Sequence, residues 1–136
     1  MIAETPLVPV SWGELLDKVT ILEIKRARLT SAEARANVER EHRLLHAAAA
    51  PALAAEGIAA LMDDLRGVNE TLWEIEDAIR EEEAAGRFGD AFIRLARSVY
   101  QQNDRRAAVK RAINDRLGSE LVEEKSYKGQ KAVAQA

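Results

Sequence analysis

A run of apolar residues at alternating three- and four-residue spacings constrains the fold of this chain more than any other feature. The run comprises Ile58, Leu61, Leu65, Val68, Leu72, Ile75 and Ile79. Such spacing aligns all of these side chains in one stripe of an α-helix and is typical of coiled-coil-like packing. The stripe therefore predicts a long helix over about residues 58–85 that packs against other helices.

The composition agrees with a helical domain. The chain has 136 residues, of which 47% are hydrophobic, 32% are charged and only 4% are aromatic, and a chain of this length is about one domain. Seven glycines and three prolines leave few positions for turns, so the elements must be few and long. We expect a single helical domain over residues 1–136.

Capping signals and periodicity divide the chain further. Four main helices are predicted, over about residues 11–29, 30–50, 58–85 and 90–117. Ser11 and Glu14 form a capping box at the start of the first helix, and T-S-A-E at 30–33 offers another. Gly118 ends the fourth helix, and Ser119 can cap a short final helix through Lys125. The predicted fold is all-α: an antiparallel bundle of four main helices with a short C-terminal helix.

The two ends of the chain are predicted to lie outside the helices. Pro6 and Pro9 keep residues 1–10 extended, and we expect the apolar Leu7, Val8 and Val10 to pack against the body of the domain. The end of the chain, residues 128–136, is expected to be a frayed tail.

Several classes of protein are disfavoured by what the sequence lacks. It contains no cysteine, no secretory signal and no run of about 18 apolar residues, so we expect a cytoplasmic protein without membrane insertion. The net charge of −3 and the absence of a helix-turn-helix or base-stacking motif argue against nucleic acid as a partner.

Charge is distributed unevenly along the second half of the chain. Residues 70–83 hold seven acids and one arginine (net −6), whereas residues 91–118 hold seven bases and two acids (net +5). Because both segments flank the short turn at residues 86–89, we expect part of this asymmetry to be neutralised across an antiparallel hairpin.

Carboxylates at helical spacing suggest one enzymatic hypothesis. Glu14 and Asp17 share a face of the first helix, and Glu70, Glu74, Asp77 and Glu81 share a face of the third. Under this hypothesis the catalytic residues of a Mg²⁺-dependent hydrolase of nucleotides or nucleotide sugars are Glu14, Asp17, Glu70, Glu74 and Asp77, with Mg²⁺ at the last three. The structural alternative is an acidic surface that pairs with Arg97, Arg105 and Lys110. No cofactor is predicted outside the Mg²⁺ hypothesis.

A polar stripe beside the seam suggests a second hypothesis. The stripe and its expected neighbours on the fourth helix, which together make the candidate ligand site, are Asn69, Trp73, Glu76, Arg80, Tyr100, Asn103 and Arg106. Polar groups beside a packed seam must be paired. We expect a network that reaches Gln102, Asn103 and Arg106 and fixes helix register, or else a pocket for a saccharide or nucleotide sugar.

Other familiar catalytic and metal patterns are missing. His42 and His46 lie four residues apart, but alanines surround them and no zincin-like carboxylate accompanies them, so they are interpreted as core or surface residues. Ser11 has no neighbouring base, and no glycine-rich phosphate loop is present.

Four stretches taken in order resemble an uncharacterised bacterial family, one of the numbered domains of unknown function. They are residues 9–25 (PVSWGELLDKVTILEIK), 68–80 (VNETLWEIEDAIR), 92–114 (FIRLARSVYQQNDRRAAVKRAIN) and 119–127 (SELVEEKSY). The resemblance covers about half of the chain and implies a link to glycosyltransferases and cell-surface polysaccharide. It supplies no catalytic residues to carry over.

These observations favour a non-enzymatic helical interaction or accessory domain. The first helix is apolar on two sides, which is typical of a helix that lies centrally in a bundle or contacts a partner. We expect a protein partner or a homodimer, and the family context points to bacterial cell-surface polysaccharide assembly. The hydrolase and the saccharide- or nucleotide-sugar-binding module, whose partner is a small molecule, are the alternatives.

Overall fold

The computed structural model describes residues 2–128, which contain four α-helices and no β-strand. The helices are α1 (Trp12–Arg28), α2 (Ala32–Leu53), α3 (Ile58–Ala84) and α4 (Asp90–Leu117). The predicted all-α fold with four main helices is confirmed.

Serine side chains begin the first two helices. The Ser11 hydroxyl accepts from the backbone N–H of Glu14 at 3.1 Å, and the Ser31 hydroxyl accepts from that of Ala34 at 3.3 Å. Only half of the predicted capping box forms at α1, because the carboxylate of Glu14 instead accepts a hydrogen bond from Lys110 on α4.

The connection between α2 and α3 differs from the prediction. The helix was expected to end near Ala50, but it continues past Pro51 to Leu53. Proline lacks a backbone donor and crowds the turn before it, yet the N–H of Ala54 still donates to the carbonyl of Ala50 at 3.2 Å. Gly57, at φ +82°, then supplies the left-handed conformation from which α3 starts.

The hydrophobic core lies at one end of the molecule, which we call the base. There the start of α1, the end of α2, the start of α3 and the end of α4 converge. The buried core residues are Leu15, Leu16, Val19, Ala49, Ala52, Ile58, Met62, Leu65 and Ile113. Helix α2 contributes two alanines to these buried residues, and its Leu45 and Leu53 pack against them as partly buried side chains.

Helix α1 occupies the centre of the fold. It packs against α2, α3 and α4, whereas α2 contacts α3 only marginally. The apolar residues on two sides of α1 are explained by this position. Helices α3 and α4 pack against each other as an antiparallel hairpin through the turn at residues 85–89.

The hairpin is longer than the helices that cover it. At 1.5 Å per residue, α1 with 17 residues is about 25 Å long, while α3 with 27 and α4 with 28 are each about 40 Å long. Gly13 at the start of α1 contacts Asn114 near the end of α4, and Arg28 at the end of α1 pairs with Glu74 in the middle of α3. The far part of the hairpin therefore projects beyond α1.

The described end segments contain no helix. Leu7 and Val8 are 94% and 72% exposed, so the expectation that they pack against the body is wrong. Residues 119–128 do not form the predicted short C-terminal helix. The Ser119 hydroxyl accepts from the N–H of Trp12 and donates to the carbonyl of Leu121 instead of capping a helix.

The frayed tail predicted from residue 128 lies, from residue 129 onward, outside the described residues. Within residues 2–128, no helix combines the length and apolar character needed to cross a membrane.

Candidate functional site

Asp17 is the centre of a buried polar network that joins α1, α3 and α4. Its side chain is only 1% exposed. Asn69 on α3 donates through Nδ2 to Asp17 Oδ1 at 2.8 Å. Arg106 on α4 donates through Nε to both carboxylate oxygens, at 3.0 and 3.1 Å, and through Nη2 to Oδ2. One carboxylate thus ties three helices together.

Thr20 completes this network one turn further along α1. Its hydroxyl accepts from Asn69 Nδ2 at 2.8 Å and donates to the backbone carbonyl of Asp17 at 2.7 Å. Among residues 2–128, no buried side-chain nitrogen or oxygen is left without a partner. A fully satisfied buried network of this kind rigidifies a fold and specifies one helix register.

The pairing of Asp17 with Arg106 is structural in character. The hydrogen bond to Asp17 raises the pKa of the Arg106 guanidinium above its ordinary value, against the opposing effect of burial. The oxygens of Asp17 already accept from fixed donors on two other helices. Most of its acceptor capacity is thus used by these donors, and the contacts of Asp17 give it a role in helix packing.

Gly13 allows α1 to approach α4 at the base of the network. Its N–H donates to Asn114 Oδ1 at 2.7 Å. A Cβ atom at position 13 would lie 2.5 Å from the backbone carbonyl oxygen of Lys110, which is much closer than a van der Waals contact. Glycine is therefore required at this position for close contact between the two helices.

A polar cleft of about 210 Å³ opens beside the network, between α1, α4 and the C-terminal segment (residues 119–128). It is lined by Glu14, Asn103, Arg106, Ala107, Lys110, Glu123 and Lys125. Lys110 is buried, and its Nζ lies 2.7 Å from Glu14, 3.5 Å from Glu123 and 3.9 Å from Asp17. A buried ammonium needs such compensation, because an unpaired charge in this position would be costly.

Ion pairs hold the C-terminal segment beside the cleft. Besides the Glu123–Lys110 pair, Glu124 pairs with Arg111 at 3.4 Å and Lys125 pairs with Glu123 at 3.4 Å. Burial raises the pKa of Glu123, but Lys110 and Lys125 outweigh it, and the pKa is lowered overall. The cations of the cleft are thus already paired with carboxylates of the same chain, and the cleft offers little free charge to an anionic ligand.

A second polar cluster joins α1 to α2 and α3 through Glu23. His42 Nε2 lies 3.2 Å from one carboxylate oxygen, and Arg66 Nη2 donates to the other at 2.8 Å. Burial opposes the ionisation of Glu23, yet the hydrogen bonds from Arg66 and His42 lower its pKa below the ordinary value. His42 is buried and His46 is exposed, with ring centroids 5.2 Å apart.

The carboxylates of the hydrolase hypothesis lie in separate places. Glu14 and Asp17 both approach Lys110 at the base. Glu74 pairs with Arg28 at the opposite end of α1, at 3.3 Å. Glu70 and Asp77 are exposed on α3. In the part of the chain that the structure describes, no three His, Asp or Glu side chains form a group that could hold a metal ion.

The residues of the candidate ligand site also lie in separate places in the structure. Asn69 turns inward to α1 and not to α4 as expected. Glu76 and Arg80 are exposed and pair with each other at 3.4 Å, and Trp73 is half-buried. The expected network therefore forms only in part. Asn69 and Arg106 belong to one buried network, but Asp17 of α1 joins them, and Glu76 and Arg80 lie outside it. On α4, Asn103 and Arg106 line the polar cleft, and Tyr100 is exposed one turn away.

The part of the hairpin beyond α1 contains no buried residue. We call residues 76–102, which are the end of α3, the turn and the first half of α4, the distal arm. Every residue of the arm is half-buried or exposed. The seam residues Ile79, Phe92, Leu95 and Val99 are all half-buried there, whereas Leu65 and Ile113 of the same two helices are fully buried at the base.

One face of the distal arm continues the surface that α1 covers at the base. Asn69 and Arg106 contact α1, and residues three or four apart lie on the same helix face. The continuation comprises Trp73, Glu76 and Arg80 on α3 and Asn103, Val99, Ala96 and Phe92 on α4. We call the part within the distal arm (Glu76, Arg80, Phe92, Ala96 and Val99) the open face.

Large apolar side chains are exposed next to the open face. Ile93 and Tyr100 are 50% and 55% exposed on α4, and Phe88 in the turn is 55% exposed. Phe88 and Phe92 contact each other edge to face, with ring centroids 5.3 Å apart. Adjacent exposed apolar groups of this kind are typical of interaction surfaces.

The acidic end of α3 and the bases of α4 do not neutralise each other through ion pairs in the part of the chain that the structure describes. Among the described residues, no carboxylate of residues 70–83 forms an ion pair with a base of α4; Lys110 and Arg106 pair with α1, and Glu74 pairs with Arg28. The expectation of neutralisation across the hairpin is therefore wrong. Asp17 and Glu14 of α1 bind two of the bases instead. Exposed ion pairs contribute only about 0–1 kcal/mol each, too little to override packing.

Comparison with known proteins places this fold in a family. The model of a family of unknown function, DUF6165, matches residues 7–135. The chain belongs to this family. No curated protein and no solved structure matches the chain. The match spans α1 to α4, and it therefore includes both the Asp17 network and the distal arm.

Sequence reasoning missed several residues of this DUF6165 domain that organise the site. The sequence pattern did not point to Thr20 or Asn114, and it predicted that Lys110 pairs with the acidic face of α3. Gly13 carried a detectable signal, since a glycine in the first turn of an amphipathic helix often marks a close approach of another backbone. The pairing of Glu23 with Arg66 joins residues 43 positions apart, and local periodicity contains no information about such a contact.

Proposed function

We propose that this protein is a non-enzymatic helical interaction domain and that the distal arm is the element that docks to a partner protein. The observation that carries the proposal is the burial pattern: residues 76–102 extend the helical hairpin, yet none of them is buried. An amphipathic helix obtains most of its stability from packing of its apolar face. A long arm with a half-buried seam is suited to gain that packing from a partner.

The polar sites of the domain support a binding role over a catalytic one. The Asp17 carboxylate is occupied by Asn69 and Arg106. The cations of the cleft, Lys110 and Lys125, already pair with Glu14 and Glu123. These groups hold the base of the domain together, whereas among residues 2–128 those of the distal arm are all half-buried or exposed.

The resemblance noted from the sequence indicates where to seek the partner. It links the family to glycosyltransferases and bacterial cell-surface polysaccharide, so we propose an accessory role in polysaccharide assembly. The expected partner is a protein of that machinery or a second copy of the chain. The surface that it would meet has apolar residues beside charged ones, such as Ile93 beside Arg94 and Arg97.

Site-specific photocrosslinking in the native cell tests the proposal. A photoreactive amino acid replaces Ala96, which is exposed on the open face, and a control replaces Ala47, which is exposed on α2. We expect one defined crosslinked protein from position 96 and none from position 47. Mass spectrometry identifies the product, including a product between two copies.

Binding measured between the purified domain and the crosslinked protein then confirms or excludes that protein as the partner. The Ala96→Glu variant should lose binding, while Ala47→Glu should retain it. Because Ala96 is exposed, circular dichroism should show the same helix content in both variants. Equal crosslinking from both positions, or none from position 96, would contradict a docking role for the distal arm.

A further inference from the structure

We infer that the C-terminal segment (residues 119–128) is a detachable lid that closes one side of the polar cleft over Lys110. The inference is separate from the docking role of the distal arm, because the cleft lies between α1, α4 and the C-terminal segment. Three properties of the segment carry it: its exposure, its attachment through ion pairs and its position beside a buried ammonium group.

The C-terminal segment buries little of its own surface. Residues 120–128 contain no helix, and every one of them is exposed. Its large aliphatic side chains, Leu121 and Val122, are 42% and 39% exposed. Burial of apolar surface is the dominant favourable contribution to folding, so a segment that buries little of it is held to the domain weakly.

Ion pairs attach the middle of the segment to α4. Glu123 lies 3.5 Å from Lys110 Nζ, and Glu124 lies 3.4 Å from Arg111 Nη1. The side chains of Glu123 and Glu124 are 40% and 72% exposed. Exposed ion pairs contribute little free energy each, and salt screens them. The segment can therefore separate from α4 at a small cost in free energy.

The start of the segment is fixed more firmly than the rest. Gly118 at φ +62° ends α4. The N–H of Ser119 then donates to the carbonyl of Asn114 at 2.8 Å, and the Ser119 hydroxyl accepts from the N–H of Trp12 at 3.3 Å. The residues beyond Ser119 can thus detach while the chain stays anchored at the base, which is the geometry of a lid with a hinge.

Release of the lid would open the cleft without leaving a buried charge unpaired. Glu123 and Lys125 are the lining residues of the cleft that the segment supplies. When they leave, Lys110 keeps Glu14 at 2.7 Å and Asp17 at 3.9 Å, so the penalty for an unpaired buried ammonium is avoided. Local opening of a segment with few buried apolar contacts is the ordinary behaviour of low-stability regions. Access to Lys110 therefore depends on the lid.

Acetylation of lysine side chains in the purified full chain tests the inference. A short pulse of an amine acetylating reagent is followed by mass spectrometry of each lysine. We expect Lys110 to react more slowly than Lys18, which is exposed on α1. Glu124→Arg places like charges at the contact with Arg111 and should raise the rate at Lys110 by roughly five-fold, the effect of a small change in free energy on an equilibrium. The rate at Lys18 should stay constant.

The choice of Glu124 separates release of the lid from a direct effect on Lys110. Glu124 pairs with Arg111, so its substitution leaves the three carboxylates around Lys110 in place. The matched control is Glu120→Arg, which changes the same charge in the same segment at an exposed residue without an ion pair among residues 2–128. This control should leave the rate at Lys110 unchanged.

A charge swap gives the decisive measurement. Arg111→Glu alone should release the lid as Glu124→Arg does, and the two substitutions together restore opposite charges. We expect the double variant to recover slow acetylation of Lys110. In the wild type, added salt should raise the rate at Lys110, because it screens the pairs that hold the lid. Circular dichroism should show the same helix content in all variants.

Several results would overturn the inference. Equal rates at Lys110 and Lys18 in the wild type would mean that the segment does not cover the cleft in solution. A rate at Lys110 that stays low in both Glu124→Arg and Arg111→Glu would mean that the segment is not a detachable lid. A rise of the same size in Glu120→Arg, or a double variant without recovery, would also contradict it.

Discussion

Arg106 on α4 donates hydrogen bonds to both carboxylate oxygens of Asp17 on α1, and this pair marks the border between two parts of the hairpin. On one side of it lies the base, where Ile58, Leu65 and Ile113 are fully buried. On the other side lies the distal arm, where no residue is buried. The pair thus ties the central helix to α4 shortly before the distal arm begins, while on α3 the cover by α1 continues to the Arg28–Glu74 pair.

Substitution of Asp17 should destabilise the fold strongly. Asp17→Ala leaves Arg106 without its partner in a largely buried site, and loss of one member of a buried pair costs about 3–5 kcal/mol. Urea unfolding followed by circular dichroism measures the change. The double variant with Arg106→Ala should cost less than the sum of the single variants, because the second substitution removes the unpaired charge. If the losses of the two single variants simply add in the double variant, Asp17 and Arg106 are not directly coupled.

Two glycine substitutions should have opposite effects. Gly13→Ala places a methyl group 2.5 Å from the carbonyl oxygen of Lys110, and the separation of α1 from α4 should cost about 1–3 kcal/mol. Gly67→Ala is the matched control inside α3, where the added Cβ has no neighbour within 4 Å. It should stabilise the helix by about 0.5–1 kcal/mol. Thermal unfolding of both variants checks the signs, and a neutral Gly13→Ala would contradict the close approach.

The helices could be predicted from the sequence because their signals are local. Ser11 and Ser31 accept from backbone amides of the first turn, and the stripe from Ile58 to Ile79 has the period of a packed helix. The position of Gly118 at the end of α4, with φ +62°, follows from the same local chemistry. Such features depend on residues within one or two turns of each other.

The partners of charged residues could not be predicted in the same way. The sequence pattern suggested that the bases of α4 meet the acids of α3, whereas Arg106 and Lys110 meet Asp17 and Glu14 of α1. Packing at the base determines which helices are adjacent, and it involves residues about 100 positions apart. Exposed ion pairs contribute too little free energy to select one arrangement of helices over another. The charge pattern alone therefore did not predict which residues pair.

Acid should weaken the fold partly through Glu23. Its folded-state pKa is lowered below the ordinary value of 4.5, because hydrogen bonds from Arg66 and His42 outweigh the effect of burial. A lowered pKa contributes stability that is fully present above the unfolded value and is lost as pH falls through the folded value. The loss should therefore begin near pH 4.5 and continue below it.

A glutamine substitution isolates this contribution. Glu23→Gln cannot ionise, so the difference in free energy of unfolding between wild type and variant should shrink as pH falls below about 4.5. The control is Glu41→Gln, whose side chain is exposed on α2 and has no ion-pair partner among residues 2–128; its difference from wild type should stay flat. A Glu23→Gln difference that is constant with pH would contradict the assignment.

Truncation of the seam should reveal whether the distal arm is covered in solution. Leu65→Ala removes a fully buried side chain at the base and should cost about 2–5 kcal/mol at any protein concentration. Ile79→Ala removes a half-buried side chain of the arm. Its cost should be well below that of Leu65→Ala, because a half-buried side chain has less apolar surface removed from water on folding. Urea unfolding of both variants measures the two losses in free energy of unfolding. If Ile79→Ala costs as much as Leu65→Ala, the arm is already covered within one copy of the chain.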